Sequence, residues 1–336
     1  MRVVEIRGAF GLDHLVEAER PEPRPGFGQV VVRVRAASLN YRDLLTIEGR
    51  YNPKQPLPLI PCSDGAGEVV ATGEGVSRVR VGDRVCGAFA QRWIAGEPTR
   101  ERLRSTLGGP LDGMLAELVA LDQEGVVRVS GHLTDEEAAT LPCAAVTAWS
   151  ALVTEGGLAA GETVLVQGTG GVSLFALQLA RLAGARVIAT SSSDEKLGRA
   201  RELGAAEGIN YRAEPQWGKR VRELTGGAGA DHVIEVGGAG TFQQSLQAVR
   251  FGGRISLIGN LAGSSAEVML TSILMQRIRV QGILVGHRES FEAMNRAIEL
   301  HRLRPVIDRV FPLAEARQAF EHMAAGGHFG KICIRL

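Results

Sequence analysis

The first third of the chain carries short runs of β-branched residues separated by turn-forming residues, which predicts a β-rich region. Strands are predicted over residues 29–36, 67–71 and 84–86. Prolines recur between residues 53 and 61, where they favour extended loops because proline cannot donate a backbone hydrogen bond inside a helix. We therefore expect strands joined by irregular connections in this part of the chain.

A different pattern starts near residue 133. Thr134 and Glu137 have the spacing of a capping box, and they predict a helical stretch through Ala151 with a kink or break at Pro142. Further along, Ser192 and Glu195 are predicted to cap another helix in the same way, with its end before Gly204.

From residue 163 onwards, predicted strands alternate with predicted helices. The strands are expected over 163–167, 186–189, 232–236 and 254–258, with a helix over 174–182 after the first of them. Such alternation implies parallel βαβ units with right-handed crossovers. We therefore predict an α/β fold built on a doubly wound parallel sheet, followed by a helix over 290–301 and a strand over 330–334.

The composition excludes several classes of protein. The chain has 336 residues, 45% hydrophobic and 22% charged, which is typical of folded domains and enough for two buried cores. Its 38 basic and 37 acidic residues give a net charge of +1, so no overall field attracts it to nucleic acid or to an anionic membrane. The charged run 100–104 is interpreted as a solvated helix face, and no nucleic-acid partner is predicted.

The cysteines and the hydrophobic runs bear on the compartment. Cys62, Cys86, Cys143 and Cys333 are far apart and form no C-x-x-C pair, which argues against a disulfide framework and against a four-cysteine zinc lobe. Residues 1–7 alternate as a strand does and resemble no signal peptide, and no apolar run reaches membrane-spanning length. A cytoplasmic protein without a membrane partner is predicted.

A glycine-rich loop lies between the strand predicted at 163–167 and the helix after it, in the sequence Gly168-Thr169-Gly170-Gly171-Val172-Ser173. Gly168 permits a tight turn, Gly170 lets the backbone approach a pyrophosphate, and the helix that follows Gly171, Val172 and Ser173 offers free N–H groups that attract an anion. The pattern alone is weak in a chain with 43 glycines, and Ser173 replaces its third glycine. Its place between strand and helix predicts nucleotide binding rather than a plain turn.

The end of the next strand bears on the choice of cofactor. NAD-binding domains usually carry an acidic residue there to bind the ribose 2′-hydroxyl. This chain has Ser191 and Ser192 instead, with Lys196 close by and no carboxylate before Asp194. Hydroxyls and an ammonium suit a 2′-phosphate, so NADP(H) is predicted over NAD(H). The alternative is that the serines only cap the helix.

A series of ordered motifs runs along the chain. They are Asn40-Tyr41-Arg42-Asp43, residues 64–73 (DGAGEVVATG), 81–85 (VGDRV), 112–117 (DGMLAE), 141–149 (LPCAAVTAW), the glycine loop, and Gly330-Lys331-Ile332. Together they make the chain similar to the medium-chain dehydrogenase/reductase superfamily, specifically to its zinc-free branch related to quinone oxidoreductases and 2-enoyl reductases. The resemblance implies a GroES-like β-barrel catalytic domain over 1–124 and 287–336, and a Rossmann domain over 125–286.

The resemblance also raises the question of zinc. Zinc alcohol dehydrogenases of this superfamily carry three metal ligands, typically Cys, His and Cys, at the positions that here hold Asn40, Ser63 and Cys143. An amide, a hydroxyl and one thiol do not form a catalytic zinc site. The segment 88–112, which corresponds to the structural zinc lobe, has no cysteine. No metal is predicted, and Cys143 is interpreted as a small buried apolar residue.

Without a metal, the reaction predicted from the resemblance is hydride transfer to an activated C=C bond or a quinone. Tyr51 resembles the tyrosine proposed as proton donor in related enoyl reductases, Tyr41 is its competitor, and Asn40 is a candidate polar contact to substrate. Either tyrosine could instead only pack in its loop. Asp43 and Asp64 match recurrent acidic positions of the family, with either a loop-ordering or a site role.

The resemblance implies further cofactor contacts, which the residues could also explain as simple turns and caps. Thr147 corresponds to a contact with the nicotinamide ring, and Tyr211 to a tyrosine near the adenosine phosphate. Gly237 and Asn260 would flank the nicotinamide ribose, and Lys331 would contact the pyrophosphate.

Finally, the resemblance implies a homodimer or homotetramer. The apolar residues between 269 and 285 are expected to pack against another subunit. The substrate is expected to be a small carbonyl compound, enone or quinone. Two alternatives stay open: a metal-free alcohol dehydrogenase or carbonyl reductase, and an NADPH-binding sensor or structural protein with little turnover.

Overall fold

The computed structural model describes all residues from 1 to 336 and divides into two compact units. The first unit comprises Met1–Val146 and Gly286–Leu336, and the second comprises Thr147–Val285. None of the helices combines the length and the apolar content needed to span a bilayer.

The strands, in chain order, are β1 (Arg2–Ile6), β2 (Leu15–Glu19), β3 (Gln29–Ser38), β4 (Asp64–Thr72), β5 (Arg84–Gly87), β6 (Leu118–Asp122), β7 (Val126–Arg128), β8 (Thr163–Gln167), β9 (Arg186–Ser191), β10 (Glu207–Asn210), β11 (Ala230–Glu235), β12 (Val249–Leu257), β13 (Arg279–Gly282), β14 (Ile307–Pro312) and β15 (Lys331–Arg335). The α-helices are α1 (Tyr41–Ile47), α2 (Arg100–Leu103), α3 (Asp135–Ala139), α4 (Val146–Trp149), α5 (Gly171–Leu182), α6 (Asp194–Glu202), α7 (Trp217–Leu224), α8 (Phe242–Ala248), α9 (Leu270–Gln276), α10 (Arg288–His301) and α11 (Ala316–Ala324).

The first unit is built around a seven-stranded mixed sheet. Its strand order is β14-β15-β3-β4-β5-β7, and β6 also pairs with β3. On β3, Val32 and Val34 are buried while Arg33 and Arg35 are exposed, so this strand presents an apolar face to the core. The core itself combines β3 with distant segments that carry Ile6, Met114 and Phe320.

β15 joins β3 in antiparallel register, with Cys333 opposite Ser38. Residues more than 290 positions apart in sequence therefore lie side by side, since Leu39 N also donates to Ile332 O at 2.9 Å. This pairing brings Lys331 next to the segment that starts α1.

The second unit is a six-stranded sheet in which every pairing is parallel, with the order β10-β9-β8-β11-β12-β13. Counted within the unit, this is the order 3-2-1-4-5-6 of a doubly wound dinucleotide-binding sheet. The predicted α/β fold with a doubly wound sheet is confirmed. Val164, Leu165 and Val166 of β8 are all buried, because helices cover both faces of such a sheet.

Two local predictions need correction. The helix after β9 is capped by Ser193, whose Oγ accepts from Lys196 N at 3.3 Å, and not by a Ser192–Glu195 box. The helix begins one residue later than expected and its third residue is a lysine, which cannot complete a capping box. Pro142 does not break the helical stretch: it lies in the first turn of a π-helical segment over 141–145, where its missing N–H is tolerated, and a second such segment extends to residue 154.

The capping box at Thr134 is confirmed. Thr134 Oγ1 accepts from Glu137 N at 3.2 Å, and Glu137 Oε2 accepts from Thr134 N at 2.9 Å. This helix belongs to the first unit, and so does β7, which pairs with β5. The first unit therefore extends to Val146, whereas the sequence places its boundary after residue 124.

Candidate active site

In the first unit, the start of α1 is fixed by a buried carboxylate. Asp43 Oδ2 accepts from Asn40 N at 2.8 Å, which caps the helix, and its Oδ1 accepts from Ser63 N at 3.3 Å. Burial raises the pKa of Asp43, and the neighbouring Arg42 charge partly offsets that rise. Asp43 thus ties the first residues of α1 to the start of β4, which is an ordering role.

Lys331, the first residue of β15, is a buried cation beside this helix start. Lys331 is only 4% exposed, and its Nζ donates to Leu39 O and to Asn40 Oδ1, each at 2.6 Å. These charge-assisted bonds fix the orientation of the Asn40 amide, because an ammonium can only donate and must therefore face the amide oxygen.

Asp64, at the start of β4, completes the cluster. Its Oδ1 accepts from Ser63 Oγ at 2.8 Å and its Oδ2 from Cys143 N at 3.1 Å, while Asn40 Nδ2 lies 3.4 Å from Ser63 Oγ. Burial raises the pKa of Asp64 to about 6, although the Lys331 charge lowers it. Lys331, Asn40, Ser63 and Asp64 therefore form one continuous polar chain, which we call the lysine network.

The lysine network bears on the family's zinc. No group of three His, Cys, Asp or Glu residues is arranged to hold a metal ion. At the three corresponding positions, the Asn40 oxygen already binds an ammonium, the Ser63 hydroxyl already donates to Asp64, and burial raises the pKa of the Cys143 thiol. A dication here would face the Lys331 ammonium, so the residues present do not fit a catalytic zinc.

Both candidate tyrosines lie close to the lysine network. Tyr41 is the first residue of α1 and is 38% exposed; Tyr51, in the loop after α1, is 48% exposed. The Tyr51 ring lies over the Arg42 guanidinium, 4.8 Å from Cζ to the ring centroid. The structure thus brings Asn40, Tyr41, Tyr51 and Lys331 together within the first unit.

The same unit has a cavity of about 640 Å³ elsewhere, along β6. Its lining includes Arg20, Gln91, Arg104 and Leu121, and none of the predicted site residues. The cavity therefore does not hold the residues predicted from the sequence.

In the second unit, the glycine loop has room for a ligand at the carboxyl end of β8. Gly168 has φ +69°, and a Cβ added at Gly168 or Gly170 would meet no atom within 4 Å. Gly170 caps α5, a twelve-residue helix that starts with Gly171 and Val172 and exposes its first N–H groups at this loop. Open space above free donors fits a pyrophosphate.

Ser173, in place of the third glycine, has a definite role. It is 2% exposed, and its Oγ donates to Gln167 O at 2.6 Å. The serine hydroxyl therefore bonds the first turn of α5 to the end of β8. A glycine at this position would lack that bond.

The predicted 2′-phosphate residues lie at the ends of adjacent strands. Ser191 ends β9, and its O accepts from Tyr211 N at 3.0 Å just beyond β10. Asp194, the nearest carboxylate, is held by Asn210 Nδ2 at 2.9 Å. Ser192 lies in the turn after β9, and Lys196 lies in the first turn of α6.

The residues predicted around the nicotinamide ribose also meet. Gly237 O accepts from Ala262 N at 2.7 Å, which places the turn after β11 against the loop that holds Asn260. A Cβ on Gly238 would lie 2.8 Å from Asn260 Cα, so this approach requires a glycine. Thr147, at the start of the second unit, is 3% exposed.

One group in this region escaped the sequence analysis. Glu235 is completely buried, and its Oε1 accepts from Gly237 N, Gly238 N and Thr241 Oγ1 at 2.8, 2.9 and 2.5 Å. Its Oε2 accepts from Gln167 Nε2 at 2.8 Å and from Ser245 Oγ at 2.5 Å. A carboxylate with five donors fixes the glycine turn rigidly. The available signal was a glutamate at the end of a buried strand, separated from two glycines by Val236 alone.

Comparisons with known proteins agree with this division. Residues 26–131 match the family model described as alcohol dehydrogenase GroES-like domain, and residues 171–299 match zinc-binding dehydrogenase. The first match identifies the mixed sheet of the first unit as GroES-like.

Two curated relatives cover almost the whole chain. A zinc-type alcohol dehydrogenase-like protein of Schizosaccharomyces pombe is 42% identical over 97% of this chain and 96% of its own length. An acryloyl-coenzyme A reductase of Metallosphaera sedula is 30% identical over 94% of this chain and 95% of its own length.

Two solved structures are also similar along the whole chain. An NAD-dependent alcohol dehydrogenase is 35% identical with a TM-score of 0.92 and covers 100% of both chains. A mycobacterial protein solved in complex with NADPH is 27% identical with a TM-score of 0.84, again over 100% of both chains. On the strength of these matches and of the two folds described above, the chain belongs to the medium-chain dehydrogenase/reductase superfamily, a family of oxidoreductases.

Proposed function

We propose that this oxidoreductase uses NADPH to reduce an activated C=C bond, such as that of an enone or enoyl thioester, or a quinone, without zinc. The observation that carries the proposal is the lysine network, in which a buried ammonium binds the residue at a family metal-ligand position. Hydrogen bonds must then stabilise the developing oxyanion, and conjugate reduction suits them because its negative charge is delocalised. The similarity to an acryloyl-coenzyme A reductase supports the same reaction type.

NADP(H) is the proposed cofactor. Its pyrophosphate would be held by Gly168, Gly170, Gly171 and Val172; its 2′-phosphate by Ser191, Ser192, Lys196 and Tyr211; its nicotinamide end by Thr147, Gly237 and Asn260. When bound, the nicotinamide supplies the hydride. The NADPH complex of a structural neighbour supports this choice, while another neighbour is NAD-dependent. Two of the three N–H groups of Lys331 donate to Leu39 O and Asn40 Oδ1. The predicted contact with the cofactor pyrophosphate would use the third.

Tyr51 is the proposed proton donor. Its hydroxyl makes no hydrogen bond within the chain and its side chain is half exposed, so a substrate atom can take that bond. Asn40 can offer only its NH₂ group to a substrate, because Lys331 occupies its oxygen. Tyr41 is the competing donor, and Y51F and Y41F variants distinguish the two by which loses turnover.

The test of the function is product identification. Metal-stripped protein is incubated with NADPH and an α,β-unsaturated ketone, with and without added Zn²⁺. A saturated ketone, formed equally in both samples, is the expected result. An allylic alcohol would establish the alternative, a metal-free carbonyl reductase or alcohol dehydrogenase. Tight NADPH binding without its oxidation, across enones, enoyl thioesters and quinones, would establish a sensor or structural protein.

We also propose that copies of the chain associate, as a homodimer or a homotetramer. β13 is the edge of the six-stranded sheet and is exposed along its whole length. Beside it, Met269, Leu270 and Leu274 are 67, 74 and 73% exposed. An exposed apolar patch beside the open edge of a sheet favours association with another surface. Light scattering at micromolar concentration tests this, and a monomer would refute it.

A cytoplasmic location is proposed on the cysteines. None of the four forms a disulfide, and three of them, Cys62, Cys86 and Cys333, are buried. Free thiols are typical of a reducing compartment. Fractionation of cells that express the tagged chain tests the location, and recovery from an oxidising compartment would refute it.

A further inference from the structure

Arg42, which the sequence analysis left without a role, has an unusual set of contacts. It is the second residue of α1, and its side chain is 9% exposed. Nη1 donates to Leu107 O at 2.9 Å and Nη2 to Gly109 O at 3.1 Å. The two terminal nitrogens of the guanidinium are thereby each bound to a different carbonyl of one loop, a geometry that the planar arginine fork allows and a lysine ammonium does not.

The same guanidinium lies over two aromatic rings. Cζ lies 4.8 Å from the centroid of Tyr51 and 5.0 Å from that of Phe89. Phe89 is itself 4% exposed and is tied to the Leu107 loop, because Leu107 N donates to Phe89 O at 3.0 Å. Arg42 and Phe89 are therefore both buried and both tied to the Leu107 loop, whereas Tyr51 is half exposed.

Little else holds the Tyr51 side chain. The backbone N of Tyr51 donates to Leu45 O at 3.1 Å, but its hydroxyl has no partner and its ring makes no other ring or cation contact. Tyr51 is 48% exposed, so neighbouring side chains do not enclose it. The cation under its ring is the contact that selects one orientation of the phenol.

We infer that Arg42 is a positioning residue: its guanidinium, anchored on the Leu107–Gly109 loop, holds the Tyr51 ring so that the hydroxyl meets the substrate. The inference rests on the proposed function, in which Tyr51 donates the proton. Arg42 Nη1 also lies 3.4 Å from Asp43 Oδ1, so the test must separate an effect through Tyr51 from an effect through the start of α1.

The kinetic test is a double-mutant cycle. Arg42→Met removes the charge and the fork, Arg42→Lys keeps the charge alone, and each is made in wild-type and Tyr51→Phe backgrounds. We expect R42M to lower kcat about tenfold in the wild type and less than about twofold with Tyr51→Phe, with R42K between. Equal loss of kcat in both backgrounds would overturn the inference, because Arg42 would then act independently of the phenol.

A matched control comes from the same unit. Arg309 is an exposed residue of β14 that is not a member of the lysine network, and its Cζ lies 4.4 Å from the Phe311 ring centroid. Arg309→Met removes a comparable cation–ring contact and is expected to leave kcat unchanged. Thermal unfolding of every variant identifies loss of folded protein, and if R42M does not fold, the R42K cycle decides.

A structural readout separates this inference from the proposed function. The chain has three tyrosines, Tyr41, Tyr51 and Tyr211, which are 38, 48 and 41% exposed. In protein labelled with 3-fluorotyrosine, R42M should move and narrow the ¹⁹F resonance of Tyr51 and leave the other two in place. An unchanged Tyr51 resonance overturns the inference. Absence of enone, thioester and quinone reduction by the wild type would overturn the proposed function, while the resonance would still decide whether Arg42 holds the ring.

Discussion

Replacing Lys331 by methionine is predicted to destabilise the first unit, and to do so more strongly at pH 8 than at pH 5. Methionine keeps the length of the buried stem and removes the ammonium that binds Leu39 O and Asn40 Oδ1 at 2.6 Å. Removal of one partner from a buried charged cluster costs about 3–5 kcal/mol. Asp43 and Asp64 both face the Lys331 charge, so they carry the effect.

The pH dependence follows from Asp64. Its pKa is about 6 in the folded protein and 3.8 in a free chain. Between about pH 4 and pH 6 the folded state therefore binds more protons than the unfolded state, and the free energy of unfolding falls as pH rises, by about 3 kcal/mol in total. Without Lys331 the folded pKa of Asp64 rises further. Each further unit by which the pKa of Asp64 rises lowers the free energy of unfolding by about 1.4 kcal/mol at pH values above the new pKa. At pH 5 it has almost no effect, because Asp64 is already protonated in both folded proteins.

Hydrogen exchange measured by mass spectrometry on peptides of β3 and β4 reports this unit alone. We expect K331M to lose protection at both pH values, with a larger loss at pH 8, and the pH-dependent part to vanish in a K331M/D64N double variant. Lys219→Met, an exposed lysine in the second unit, is the matched control and should change neither. A destabilisation that is the same at pH 5 and pH 8 would refute the electrostatic reasoning.

Three further predictions concern the second unit. Glu235→Gln puts an NH₂ group among five donors, so it should lower the free energy of unfolding, measured by urea titration, by about 2–3 kcal/mol. It should also weaken NADPH binding, measured by cofactor fluorescence. Unchanged binding would show that the glycine turn does not depend on this carboxylate. Gly168→Ala adds a methyl into open space at φ +69°; it should cost about 1 kcal/mol of stability but raise the NADPH Kd about tenfold or more, and a purely structural effect would contradict the proposed pyrophosphate site. Ser191→Asp should raise the KM for NADPH about tenfold and spare NADH, because a carboxylate repels a 2′-phosphate; an unchanged ratio of the two KM values would place the phosphate elsewhere. Ser192→Ala removes a proposed contact without adding a charge, so it should raise the KM for NADPH less than S191D does.

The features that the sequence could predict are those set by neighbours along the chain. The strand at Thr163–Gln167 is where the apolar run places it, and the box at Thr134 forms as its spacing indicates. The glycine loop follows the strand and opens a helix as expected. Each depends on a few consecutive residues, so periodicity and capping rules suffice.

The features that it could not predict depend on distant partners. From the sequence, Lys331 is predicted only as a phosphate contact, by resemblance to the family. The pairing of β15 with β3 shows that it also binds an amide 291 residues away. Glu235 reads as the polar end of a strand until Gln167 and Ser245 meet it from other elements. Arg42 reads as part of a motif, and only the Leu107–Gly109 loop shows why an arginine is needed. These contacts join residues that are far apart in sequence, so the local pattern around each residue does not predict them.

The pairing of β15 with β3 has a consequence for the order in which the protein is made. Synthesis runs from the amino terminus, so residues 147–285 have left the ribosome as a continuous segment before residues 331–335 exist. The second unit can complete its sheet at that stage. The first unit cannot, because the strand that supplies its buried cation is still missing, and Asp43 and Asp64 stay hydrated until it arrives. A nascent chain thus acquires its cofactor fold before its lysine network, and a ribosome stalled between these two segments would hold a chain with one finished unit and one open unit.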